Sequence, residues 1–198
     1  TGRSAKLGIL IKNGEVREAA HGIKAVVFDK TGTITVGKPQ VTDIITFGDT
    51  EANVLRVAAA MEASSEHPLA AAVLDEAKEK GIPTVNADHF EAISGKGVQA
   101  QVDGKSAFIG NERLLEDFDL TDAQKAQMQK LQAEAKTVVI VGYDKQLMAF
   151  IGIQDAPKAS SKAAIAALKR VGYKTIMLTG DNHLVAEAVG KQVGIDTV

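Results

Sequence analysis

The stretch Ala25-Val26-Val27-Phe28-Asp29-Lys30-Thr31-Gly32-Thr33 decides how the chain is read. Its first four residues are apolar, two of them β-branched, and spell a short buried strand that runs straight into a polar, glycine-containing loop. In open α/β sheets the loop leaving a strand's C-terminal end is where ligands bind, which makes Asp29 the first candidate functional residue. A second apolar run, Thr175–Leu178, leads into Thr179-Gly180-Asp181 and then into a helical pattern of Val185, Ala188, Val189 and Val193. A helix from about Lys158 to Val171, ended by Gly172, comes just before it. Alternating helix and strand predicts a parallel sheet, with Asp29 and Thr179 at neighbouring strand ends. One further short strand is expected at Gly8–Ile11.

Gly37-Lys38-Pro39 and Asp155-Ala156-Pro157 each combine a turn former with a proline and are read as paired hinges. Between them lies an α+β pattern. Thr50 is an N-cap before Val54, Val57, Ala58 and Met61, and Pro68 opens a second helix through Leu69, Ala72, Val73 and Ala77 to a stop at Gly81. Val98–Val102, the turn Asp103-Gly104 and Ala107-Phe108-Ile109 predict a β-hairpin. Thr121 caps a helix to about Ala135, and Thr137–Val141 with Leu147–Ile153 form another hairpin around Tyr143–Gln146. The expected organisation is a doubly wound domain in two segments, 1–40 and 154–198, interrupted by an inserted antiparallel domain at 41–153.

Composition narrows the function. The 198 residues are 45% hydrophobic, too apolar for a disordered chain. Lys and Arg number 23 against 25 Asp and Glu, a net charge of −2 that argues against nucleic acid as a partner. Without cysteine there is neither a disulfide framework nor a thiolate metal site, and the 4 histidines lack metal-ligand spacing. The longest apolar runs are strand-sized, far below the ~18 residues that span a bilayer, so direct membrane insertion is not expected. The opening Thr1-Gly2-Arg3-Ser4-Ala5-Lys6 has no apolar signal-peptide core and no methionine, and reads as the start of an excised piece.

Asp29-Lys30-Thr31-Gly32-Thr33 is identical to the phosphorylation signature of P-type ATPases, and Thr179-Gly180-Asp181 matches that family's second phosphate-site motif. Glu62 followed by Ser64-Ser65-Glu66-His67-Pro68-Leu69 resembles the motif of the heavy-metal-transporting members. The resemblance implies a haloacid-dehalogenase-like doubly wound parallel-sheet domain, C-terminally incomplete here, with an inserted α+β domain of antiparallel sheet and helical hairpins. It implies ATP and Mg²⁺: an adenine pocket shaped by Glu62, His67, Gly95 and Gly97, with Gly110 and Asn111 as a further element. Phosphoryl transfer would go to Asp29, with Lys30, Thr31, Thr33, Thr179, Gly180 and Asp181 completing the catalytic set and Mg²⁺ on Asp29 and the Thr31 carbonyl.

These residue types suit that chemistry. A carboxylate at a strand end can attack a γ-phosphate in line while loop N–H groups and a lysine hold the oxygens. Related phosphatases carry an acid-base aspartate two residues after the nucleophile, whereas Thr31 stands here, so an aspartyl-phosphate should persist. Glutamate can accept from an adenine amino group, and glycines let a ligand approach the backbone. Other readings stay open: His67 before Pro68 also suits a helix cap, Gly95 and Gly97 a turn, and His21, His89 and His183 the solvated surface.

The resemblance further implies the transmembrane and actuator parts of a pump as partners and a place on the cytoplasmic face of the cell membrane. Copper is favoured over zinc or cadmium because Gly8-Ile9-Leu10-Ile11-Lys12-Asn13-Gly14-Glu15 and the insert resemble bacterial copper exporters. In the family the phosphorylation domain continues beyond the equivalent of Val198, so a truncated domain, inactive alone but able to bind ATP, is expected. A soluble haloacid-dehalogenase-type phosphatase and a nucleotide-binding fragment without catalysis are the alternatives.

Overall fold

The computed structural model describes residues 5–10, 14–15 and 22–198. His21 and the residues Thr1–Ser4 and Ile11–Asn13 of the sequence reading lie outside the described set. The strand expected at Gly8–Ile11 does not form in its described part. Gly8 takes φ +75° and its N–H closes a turn onto the Ala5 carbonyl at 3.0 Å, while Leu10 is 95% exposed. Apolar residues without a neighbouring strand have no ladder to join.

Two sheets organise the rest. The first is a parallel pair, β1 (Ala25–Asp29) beside the later strand Lys174–Leu178, in a register that sets Asp29 opposite Leu178. Helices Ser161–Arg170 and His183–Val193 accompany it, and Phe28, Ile165, Met177, Ala186, Val189 and Val193 pack into one cluster. β1 was expected to be buried throughout, but its exposure alternates, with Val27 56% and Leu178 61% exposed. Among the described residues only one face of the pair is covered, so the apolar run is half-buried there.

The second sheet is antiparallel. Its strands are β2 (Gln40–Thr46), β3 (Ala87–Ile93), β4 (Gly97–Val102), β5 (Lys105–Gly110), β6 (Thr137–Tyr143) and β7 (Gln146–Gln154), in the spatial order β2-β7-β6-β5-β4-β3. Helices α1 (Glu51–Glu62) and α2 (Pro68–Glu79) form a hairpin on one face, where Val54, Val57, Met61 and Val73 meet Val102, Ile109, Val139 and Ile151. On the other face α3 (Asp122–Ala133) and the 3₁₀ segment Glu112–Asp117 bury Leu114, Leu115 and Leu131 against Val138, Ile140 and Phe150. Phe47 meets Phe150 edge to face, centroids 4.8 Å apart. Covered on both sides, the middle strands β6 and β7 are near-continuous apolar runs.

The caps act as their residue types dictate. Thr50 accepts from the Asn53 N–H at 3.2 Å, Thr121 and Gln124 form a capping box, and Pro68 occupies the first turn of α2. The expected helix from Lys158 begins three residues later, as α4 (Ser161–Arg170), and the Lys158 N–H before it donates to the Ile34 carbonyl at 2.9 Å. The strand Lys174–Leu178 is β8, and α5 (His183–Val193) closes the described chain's secondary structure. The helix expected to reach Ala135 stops at Ala133, with Ala135 itself at φ +62°.

The two hinge segments lie side by side. The Val36 N–H donates to the Ala156 carbonyl at 2.9 Å, and Thr35 pairs with Pro157 in an antiparallel bridge. Asp155 accepts from the Thr35 hydroxyl at 2.5 Å and from the Gly37 and Lys38 N–H groups at 2.9 and 3.2 Å.

Candidate active site

Asp29 ends β1 and is exposed, and the chain then makes a wide turn closed by the Thr35 N–H on the Lys30 carbonyl at 3.0 Å. Gly32 takes φ +75° at its apex, a value glycine adopts without strain, and Thr31 and Thr33 face solvent. The turn is held from behind. Buried Thr35 has its hydroxyl 3.1 Å from the Lys30 carbonyl, which it can donate to in place of Asp155, and 3.3 Å from the Gly32 N–H it accepts from. Lys158 Nζ donates to the Gly32 carbonyl at 2.5 Å and the Ser161 hydroxyl to the Ile34 carbonyl at 2.7 Å.

Beside this turn, Thr179-Gly180-Asp181 leaves β8. The Thr179 hydroxyl accepts from the Asp181 N–H at 3.1 Å, and Asn182 caps α5 by accepting from the Leu184 N–H at 2.8 Å. Lys30 is buried, and its ammonium pairs with Asp181 Oδ2 at 2.5 Å, an oxygen that accepts no aligned hydrogen bond. Lys30, expected on a phosphoryl group, is thus turned onto a carboxylate in the same pocket.

A cleft of about 570 Å³ runs between the two sheets' helices and loops. Of the residues singled out in sequence, Lys30, Thr31, His67, Asn111, Thr179, Gly180 and Asp181 line it; Asp29, Thr33, Glu62, Gly95, Gly97 and Gly110 do not. His67 is the N-cap of α2, its Nδ1 accepting from the Leu69 N–H at 3.2 Å, so the cap and a place in the cleft wall coexist. Glu62, at the end of α1, has its carboxyl pKa raised by burial, opposed by the Ser65 hydroxyl and the His67 charge. Asn111 donates to the Gly95 carbonyl at 2.9 Å and accepts from the Arg113 N–H at 2.9 Å, tying the Gly95 loop to the 3₁₀ segment.

Gly97 and Gly110 also have a reason to be glycine that involves no ligand. They face each other across β4 and β5, and a Cβ on Gly97 would sit 2.1 Å from the Ile109 carbonyl oxygen. The absent side chains let two backbones touch.

Sequence reading missed Glu112, Arg113, Gln132, Asp155 and Asn182 in the cleft wall. Glu112 accepts from Gln132 Nε2 at 2.5 Å and from the Asn182 amide, linking the antiparallel sheet's segments to α5. Nothing local marks such a long-range set; Asp155 alone carried a signal, sitting beside a hinge proline. Among the described residues no group of three or more His, Asp or Glu side chains is arranged to hold a metal. The oxygen donors present, Asp29, the Thr31 carbonyl and Asp181, fit a hard cation that binds through one or two carboxylates, waters and a substrate phosphate.

A sequence model described as haloacid dehalogenase-like hydrolase matches residues 23–198. The chain belongs to the haloacid dehalogenase-like hydrolases. Within that family its likeness is to the catalytic part of metal-transporting P-type ATPases. It is 42% identical over 199 residues to a copper-exporting P-type ATPase of Staphylococcus haemolyticus and 44% identical over 199 residues to a probable copper-exporting P-type ATPase of Archaeoglobus fulgidus. Both matches cover 100% of this haloacid dehalogenase-like chain and 24% of the relative, so it spans about a quarter of their length. The solved catalytic CPx-ATPase domain CopB-B superposes with a TM-score of 0.68 at 30% identity, covering 99% of this chain and 68% of that one. No helix among the described residues is long and apolar enough to cross a membrane.

Proposed function

We propose that this chain is the ATP-binding and phosphorylation region of a copper-exporting P-type ATPase, working on the cytoplasmic face of the cell membrane beside the pump's transmembrane and actuator parts. Residues 41–153 form the nucleotide-binding domain, and 1–40 with 154–198 belong to the phosphorylation domain. The observation that carries the reading is the cleft, whose wall holds His67 and Asn111 from one sheet's elements together with Lys30, Thr31, Thr179 and Asp181 from the loops that follow β1 and β8. The 42–44% identity to copper exporters supports copper as the cargo.

In this reading an Asp29 carboxylate oxygen attacks the γ-phosphorus of ATP. The new bond joins that oxygen to phosphorus, the bond to the β,γ-bridging oxygen breaks, and ADP leaves with the electron pair. Glu62, His67, Gly95 and Gly97 belong to the adenine end, with Gly110 and Asn111 beside them. The Thr179 hydroxyl and the N–H groups of Thr33 and Gly180 steady the transferring oxygens, and Lys30 exchanges Asp181 for the phosphoryl group. Asp29 and the Thr31 carbonyl would hold Mg²⁺, which neutralises charge on the phosphates when bound. Thr31, lacking a carboxylate, cannot activate water, so the acyl phosphate lasts long enough to drive transport.

Calorimetric titration of ATP into the chain tests the reading, repeated on His67→Ala. Saturable binding weakened by the substitution is expected; equal affinity in both proteins would remove His67 from the site, and no binding to either would end the nucleotide reading.

A further inference from the structure

Three carboxylates and two basic side chains line the cleft, an unwelcoming field for a polyphosphate unless a cation is uncommitted. Lys30 is held by Asp181 at 2.5 Å. Both Glu112 oxygens are taken, by Gln132 and by Asn182, so this carboxylate does not turn to its chain neighbour. Asp155 is filled by Thr35, Gly37 and Lys38. Glu116, one turn along the 3₁₀ segment, is paired with Lys96 at 2.6 Å. Among the described residues Arg113 is therefore the charged side chain of the cleft wall whose guanidinium has no ion-pair or hydrogen-bond partner.

Its backbone is fixed, and its charge, felt by Glu116 at longer range, is not spent on an ion pair. Asn111 Oδ1 accepts the Arg113 N–H and Asn111 Nδ2 holds the Gly95 carbonyl, so Arg113 is anchored at the start of the 3₁₀ segment. A Cβ on Gly95 would lie 3.7 Å from Arg113 Nη1, which places the guanidinium beside that glycine. A planar fork with several donors, presented at the cleft and unpaired, matches phosphate oxygens in geometry and in charge.

We propose that Arg113 receives the phosphate chain of the bound nucleotide, between the base and the phosphoryl group that is transferred. This rests on the ATP reading above. Holding Glu112 away through two amides is what keeps Arg113 available.

The test titrates ATP and, separately, adenosine into the wild-type chain, Arg113→Ala and Arg113→Lys, with thermal melting to compare the folds. Arg113→Ala is expected to weaken ATP about tenfold or more, the loss of a hydrogen bond to a charged group, and to leave adenosine unchanged. Arg113→Lys keeps the charge without the fork and should fall between. Unchanged ATP affinity in Arg113→Ala, with the wild type binding normally, would overturn the proposal and leave the ATP reading intact. Equal losses for ATP and adenosine would also overturn it, by assigning Arg113 to the base or to the pocket's shape. Absence of ATP binding to the wild type would overturn both.

Discussion

Replacing Gly97 by alanine separates two reasons why a glycine can stand near a binding site. If a ligand passes over it, a methyl group costs affinity and spares the fold; if a backbone does, the fold suffers first. The added Cβ would meet the Ile109 carbonyl oxygen at 2.1 Å, the Gly110 Cα at 2.6 Å and the Ile109 carbonyl carbon at 3.0 Å, with φ at +152°. All three neighbours are backbone, so relief requires β4 and β5 to part by about 0.9 Å before the first contact reaches 3.0 Å. Such parting stretches the Asn111 N–H bond to the Lys96 carbonyl, 2.8 Å long at this crossing. Overpacking of this kind costs about 1–3 kcal/mol and a lost backbone hydrogen bond about 1 kcal/mol more, together about 3 kcal/mol. That is a large part of the roughly 5–15 kcal/mol that holds an ordinary domain folded. Urea denaturation of wild type and Gly97→Ala should show it as a lower midpoint at equal slope. Stability within about 0.5 kcal/mol of wild type, accompanied by lost ATP binding, would refute the backbone argument and leave ligand approach as the reason for the glycine.

Two further outcomes are expected. Thr35→Val keeps the shape of a fully buried side chain and removes the hydroxyl shared by Asp155, Lys30 and Gly32. It should cost about 1–3 kcal/mol in chemical denaturation, recovered by Thr35→Ser; equal stability of the valine and serine variants would count against the hydroxyl. Asp196, bonded to Lys169 at 2.6 Å and to the Thr175 N–H and hydroxyl at 2.9 Å, has its pKa lowered from 3.8 to about 2. Its native pKa lies below the unfolded one, so its contribution is present above about pH 4 and is lost as pH falls through about 2. Asp196→Asn should flatten the acid limb of the stability profile in that window; parallel limbs for the two proteins would contradict this.

What the sequence made legible was local. Thr50, Pro68 and Thr121 mark helix starts through short-range capping, and Asp103-Gly104 marks its hairpin because both residues take positive φ. β2 and β3 escaped because each is an edge strand with an irregular pairing, at Val41/Asp43 and at Asp88/Glu91, which breaks the alternation a strand is recognised by. The loops after β1 and β8 could be paired in sequence because parallel strands bring their ends together. Glu112, Gln132 and Asn182 could not, since they meet only once the two sheets are placed against each other. Gly97 was legible as a required glycine, while the close approach of Ile109 and Gly110 was not, because composition does not say which backbone comes near.

The paired hinge determines how the molecule can move. A body tethered by one strand can both swing and spin; here the chain leaves through Thr35–Lys38 and returns through Asp155–Lys158, and the two crossings are bonded to each other. Spin would tear that seam, whereas swing would leave it intact. The cleft opens as a book does along its spine. On closing, such a swing would bring Glu112 back to Asn182 and Ala135 back onto the α5 cluster, so contacts far from the hinge set the resistance to opening.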